Sequence, residues 1–182
     1  MLPLPRLVLG LALPLALSAP ALSAPALAES RCVLETDGVE HLLPHIYIAP
    51  EAAFVTGPEP VTQHWIFCTR HPIEPNPAYG DWGAAVRVAI LQLQEDDRVE
   101  VLVAHDGRVR RAGMTWDHLQ AESPHDDPDL PLRFEGSFAD GRARGELVTS
   151  APMKQSPTPW HDAELQWKIT INLDAPILGA DP

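Results

Sequence analysis

ELQWKITINL, residues Glu164 to Leu173, is the stretch that decides how the rest of the chain is read. Leu165, Trp167, Ile169, Ile171 and Leu173 occupy every second position, and polar residues fill the positions between them. A strand turns successive side chains to opposite faces, so this segment has one dry face and one wet face. A helix would scatter the same five apolar residues around its surface. The pattern therefore predicts an antiparallel sheet with one face on a core and the other in water.

The segments before it follow the same rule. Leu132, Phe134, Gly136 and Phe138 share one face, and Asp140-Gly141 supplies a hairpin turn. A two-residue turn there sets Phe138 against Ala143, Gly136 against Gly145 and Phe134 against Leu147, so the apolar face closes on itself. Arg98 to Ala104, RVEVLVA, is a nearly continuous apolar strand and reads as central. Asp106-Gly107 turns it back into Val109 to Met114. A two-residue loop would pair Val103 with Arg110, and a three-residue loop with a bulge fits equally well.

Val61 to Thr69 is a further strand, with Trp65, Phe67 and Thr69 on one face and Ile66 and Cys68 on the other. Arg31 to Glu35 reads as the first strand, and Asp37-Gly38 as a turn. Val39 to Ala49 is β-rich, and Pro44 confines it to an edge or a bend. In Ala84 to Gln94, Val86, Val88 and Ile90 alternate as a strand would while Ala84, Ala85 and Leu91 would suit a helix, and the neighbouring strands favour strand; Thr115 to Glu122 predicts one short helix. Three long loops separate these elements: Arg70 to Gly83, Pro124 to Pro131 and Ala151 to Asp162. The sum is an all-β fold of about eight or nine strands and at most one short helix, arranged as an antiparallel sandwich or a partly closed barrel.

The N-terminus reads as an export signal. Arg6 precedes an apolar run from Leu7 to Leu17 interrupted by Pro14, and Ala26-Leu27-Ala28 fits the small-x-small cleavage rule. Cleavage after Ala28 separates a signal peptide, residues 1–28, from a single domain, residues 29–182, with no membrane span of its own and a periplasmic or secreted location. That domain keeps 12 basic and 25 acidic residues, a net charge of −13, which disfavours nucleic acid and anionic headgroups as partners. Its two cysteines, Cys32 and Cys68, pair as a disulfide in an oxidising compartment.

GRARGELVTSAPM, followed by WKITINLDAPIL, resembles a C-terminal pattern of small exported bacterial β-proteins of unassigned function. The matching residues are Gly145, Glu146, Leu147, Thr149, Ser150, Pro152, Asp174, Ala175 and Pro176. The resemblance covers roughly a quarter of the chain. It implies an all-β fold and carries no catalytic residues.

Candidate chemistry is sparse. His41 and His45 match a zinc-binding helix only in their spacing: the glutamate is missing, Pro44 breaks the helix, and on a strand the two rings stand about 13 Å apart. His64 and His71 flank Cys68, and Met114 and Met153 could supply thioethers, which suggests a copper-type metal handler as an alternative function. No pair, however, has chelating spacing, and the metal ligands are unassigned. His125-Asp126-Asp127-Pro128-Asp129 lacks the calcium-loop ladder. The best binding candidates are Tyr79, Asp81 and Trp82 in one proline-stiffened loop, with Trp160, His161 and Asp162 in another. There is no G-x-S-x-G, phosphate loop or cofactor motif, so no catalytic residue and no cofactor is expected, and a hydrolase is the least favoured reading. The expected function is an exported binding module of the cell envelope whose partner is a protein, a glycan or a small molecule.

Overall fold

The structure is a computed structural model that describes residues 30–50, 63–74, 97–117, 119–155 and 164–179. Eleven strands run through them: β1 (Arg31–Thr36), β2 (Val39–Leu43), β3 (His45–Pro50), β4 (Gln63–Thr69), β5 (Arg98–Ala104), β6 (Val109–Trp116), β7 (Leu119–Glu122), β8 (Leu132–Ala139), β9 (Arg142–Thr149), β10 (Met153–Gln155) and β11 (Leu165–Pro176). They form two antiparallel sheets and no closed barrel. The first has the order β2-β1-β11-β9-β8, with β10 also on β11; the second is β3-β4-β5-β6-β7.

β11 lies inside the first sheet with the expected alternation. Leu165, Trp167, Ile169, Ile171 and Leu173 are buried. On the wet face Lys168 pairs with Glu35 at 2.8 Å, and Arg142 meets Asp174 at 2.7 Å. The β8–β9 register is the one the turn dictates, with Phe138 opposite Ala143 and Phe134 opposite Leu147. Asp140 and Gly141 both take positive φ, +51° and +67°, the conformation that matches the twist of a two-residue hairpin. Gly136 faces Gly145 across this ladder, and a Cβ on either would run into the backbone of the opposing strand.

The β5–β6 turn takes the three-residue form. Gly107 N–H donates to the Ala104 carbonyl at 2.9 Å and Ala104 N–H to the Arg108 carbonyl at 2.8 Å, with Gly107 at φ +84°. Val103 then pairs with Val109, and Leu102 with Arg111, so Arg110 is the extra residue of a bulge.

Three expectations need correction. Among the described residues there is no helix: Leu119–Glu122 is strand β7, Asp117 has φ +45°, and Trp116 pairs with Leu119. Leu119 and Ala121 pack inward while Gln120 and Glu122 point away, a period of two rather than 3.6. Val39–Ala49 is two strands, because the chain passes from one sheet to the other at Pro44. Both flanking strands are sheet edges, where a missing N–H is tolerated. The second proline-rich loop begins with a short strand, β10. These additions raise the count from eight or nine to eleven. The Ala84–Gln94 strand lies outside the described residues.

The strands of the two sheets cross at an angle. Cys68 of β4 is bonded to Cys32 of β1, while His64, earlier on the same strand, stacks on Phe138 of β8 with ring centroids 4.1 Å apart. Four residues of strand cover about 13 Å, and the three strand intervals from β1 to β8 cover about 14 Å. Phe138 also lies four residues along β8 from Phe134, the residue level with Cys32 through the β1–β11–β9–β8 registers, so β4 runs diagonally over the first sheet, about as far along its strands as across them. Ile48, Ile66, Val99 and Val101 of one sheet share a core with Leu34, Trp167, Ile169 and Ile171 of the other. Trp65, Phe67, Leu102 and Ala49 form a second buried cluster on the far side of the second sheet.

Both cysteines are fully buried, with Cα atoms 6.3 Å apart and a sequence separation of 36. Closing a loop of that length stabilises the fold by about 4 kcal/mol through the unfolded chain's entropy. A Cys32→Ala/Cys68→Ala double variant is expected to lose about that much in equilibrium urea unfolding. An unchanged midpoint would show that the bridge adds nothing to packing already in place.

Candidate functional site

The residues singled out from the sequence as a binding surface, Tyr79, Asp81, Trp82, Trp160, His161 and Asp162, lie outside the described residues. Among the described residues the groups with most chemistry lie on the second sheet, on the face turned away from the shared core.

Pairing brings them together. On this face Arg98 of β5 lies beside Thr115 of β6 and Gln120 of β7, and Glu100 lies beside Gly113 and Glu122. Arg111 follows one step along β6, opposite Leu102. These side chains border a cleft of about 380 Å³ that also reaches Met114, Ala121 and, from β10 of the other sheet, Gln155. Gln155 Oε1 lies 3.4 Å from the Glu122 backbone N–H, which donates to it across the β7 edge.

The charges in the cleft balance. Arg111 forms an ion pair with Glu122. Its Nε–H is nevertheless buried and finds no acceptor. Glu100 has no ion pair among the described residues. It lies across Gly113, where an added Cβ would sit 3.3 Å from both Glu100 Cγ and Oε1. The missing side chain is what lets Glu100 rest against the sheet. The cleft thus offers an unmet donor, an unpaired carboxylate, a hydroxyl and two carboxamides, held at strand spacing on a hydrogen-bonded sheet.

A second cluster closes the edge of the sandwich at Trp116. His41 stacks on the Trp116 ring at 4.0 Å and meets Thr36 Oγ1 at 2.9 Å. Arg70 lies 5.6 Å over the same ring and holds Asp97 at 2.7 Å. Asp97 also accepts from the Asp117 backbone N–H at 2.8 Å. His41 faces Trp116 from the first sheet while His45 belongs to the second, so the Pro44 corner separates the two rings that are close in sequence.

The other sequence candidates are engaged in structure. Met114 and Met153 are core side chains. In the acidic loop, Asp126 is clamped by Arg110 at 2.5 Å and by His125 at 2.8 Å. The Arg110 hydrogen bonds, ahead of its charge and that of His125, hold the Asp126 carboxyl down at about 2. Asp127 accepts the Asp129 N–H at 2.9 Å, a local turn rather than an ion ladder. No three His, Cys, Asp or Glu side chains among the described residues converge where they could hold a metal ion. Comparison of the chain with family models, with curated proteins and with solved structures found no match.

His64 is the one strongly perturbed base among the described residues. It is 7 % exposed, stacked on Phe138, and its Nδ1 has no hydrogen-bond partner. Burial, and secondarily the nearby His105, push its pKa from 6.5 down to about 4. The folded chain keeps the ring neutral where the unfolded chain protonates it. Stability from this site is therefore complete above pH 6.5 and drains as the pH falls toward 4. The loss approaches about 3 kcal/mol at the acid end. Asp126, and Asp174 held down by Arg142, lose their contribution as the pH falls through and below the ordinary aspartate range, so they touch only the acid edge of this window. Urea titrations at pH 7.5, 6, 5 and 4 are expected to show the decline in the native chain. In His64→Phe the slope between pH 6.5 and 5 should be flat; an unchanged slope there would assign it to other groups.

Proposed function

We propose that this chain is an exported, disulfide-braced binding module of the cell envelope, without enzymatic activity of its own, which seats its ligand in the cleft on the outer face of the second sheet. The observation that carries the reading is the cleft. It is a polar hollow of about 380 Å³ whose buried Arg111 Nε–H meets no acceptor among the described residues, set on paired strands rather than on a mobile element. Sites of that kind are held in place before the ligand arrives. Its charged side chains come from strands whose opposite faces form the core, so their spacing is fixed by the fold.

Export is supported by the N-terminal signal pattern and is compatible with the fully buried Cys32–Cys68 bridge. No helix among the described residues is long and apolar enough to cross a membrane. Within this reading the aromatic loops remain contributors to binding. Gln155 lines the cleft and precedes Trp160 by five residues in the chain, and Arg98 lines it sixteen residues after Trp82.

Two measurements test the proposal. Mass spectrometry of the extracytoplasmic fraction is expected to find a mature N-terminus at Glu29; recovery of the intact chain from cytosol would overturn export. Amide spectra of the isotope-labelled protein, titrated with a fractionated cell-envelope extract, are expected to shift at Glu100, Thr115 and Gln120. Shifts elsewhere, with these three unmoved, would place any binding surface off the cleft.

A further inference from the structure

Resting on the binding reading above, we propose that the ligand of the cleft is a neutral polyhydroxyl compound, a glycan, recognised by alternating donors and acceptors rather than by charge.

The argument begins with what the cleft lacks. Among the described residues two guanidinium groups and two carboxylates border it, so their formal charges cancel, and Arg111 and Glu122 already neutralise one another. An anion would approach an exported chain of net charge −13 and then meet Glu100 and Glu122. A cation would meet Arg98 and Arg111. An apolar ligand would find only Met114 and Ala121 among the described bordering residues. None of these classes matches the lining.

A hydroxyl matches it, because each hydroxyl both donates and accepts. The Arg111 Nε–H needs an acceptor. Glu100 offers a carboxylate that accepts only, and the Thr115 hydroxyl and the Gln120 and Gln155 carboxamides offer both roles. Neighbouring hydroxyls on a sugar ring can answer this mixture in the way the waters they displace do. A zwitterion such as a peptide could satisfy Glu100 with its ammonium and Arg111 with its carboxylate. Its binding would then rest on Coulomb attraction, and that difference is measurable.

The test uses the full exported chain, with cellobiose and maltose as neutral probes and glycylglycine as the zwitterionic one. Binding is read from the Glu100, Thr115 and Gln120 amide shifts in 0.05 M and 0.5 M salt. The expected result is saturable binding of a neutral sugar that changes less than about twofold with salt, since no net charge is engaged. Glu100→Gln keeps the acceptor and removes the charge, so sugar affinity should stay within about fivefold, whereas Glu100→Ala should lower it about tenfold or more. Gly113→Ala, which presses on Glu100 at little cost to the strand, should weaken binding while the melting temperature holds. Saturable binding of glycylglycine alone, with affinity lost in Glu100→Gln and in high salt, overturns the glycan assignment and leaves the binding module standing. Cleft amides that move with extract but with none of the three probes also overturn it. Cleft amides that move with neither extract nor probe remove both readings.

Discussion

Strand β4 is held to the opposite sheet at both ends, and the rest of the architecture follows from that constraint. Cys68 is bonded to Cys32 near one end and His64 stacks on Phe138 near the other. Between them Ile66 enters the shared core, while Trp65 and Phe67 are buried on the reverse side. A strand dry on both faces must be interior to its sheet, and β4 lies between β3 and β5. Because its two anchors lie on β1 and β8, the second sheet has to cross the first. Three of the four edges are then left to short or interrupted strands, with β2 and β3 divided at Pro44 and β7 only four residues long, while the fourth, β8, runs for eight residues.

The crossing also divides the second sheet's outer face. Toward β3 and β4 it is apolar and buried, with Trp65, Phe67 and Leu102. Toward β6 and β7 it is charged and open. The change occurs within β5, where Leu102 belongs to the apolar cluster and Glu100 and Arg98 border the cleft. One strand thus serves as wall to both, which ties the position of Glu100 to packing around Leu102. A polar site gains rigidity from such a wall without needing any apolar contact of its own.

How much of this was legible varied with whether local and long-range signals agreed. β11 and the β8–β9 hairpin were readable in full, since alternation and turn chemistry demanded the same register. β7 reads as helix in the sequence because four residues after an unrecognised turn carry too little periodicity to decide. The crossing was not readable, because nothing local encodes which strands of two sheets oppose each other. The cleft was half-readable. Arg98 and Glu100 interrupt the valines of RVEVLVA at every second position, a sign that one face of that strand is polar. Read as nearly continuous apolar sequence, the segment concealed it, and only pairing sets Glu100 in one row with Gly113 and Glu122.

The anchors of β4 differ in kind, and this gives the sandwich a strong end and a weak end. At Cys68 the link is covalent, and its neighbour Thr69 is buried with its hydroxyl donating to the His71 carbonyl at 2.6 Å. At the start of the strand, Gln63 Oε1, His64 Nδ1 and Trp65 Nε1 are three successive buried polar atoms without partners. A buried group left unmet costs about 1–3 kcal/mol, so this end forgoes hydrogen bonding that the other end has. Local opening starts where such losses concentrate. The weak end faces β8 and the β5–β6 turn, where Gly107 lies close to the Phe134 carbonyl. The cleft lies along Arg98, Thr115 and Gln120, at the far ends of β5 and β6 from that turn. Acid loosening at His64 therefore begins at the opposite end of the sheet from the ligand seat, and the two are joined through the backbone of β5.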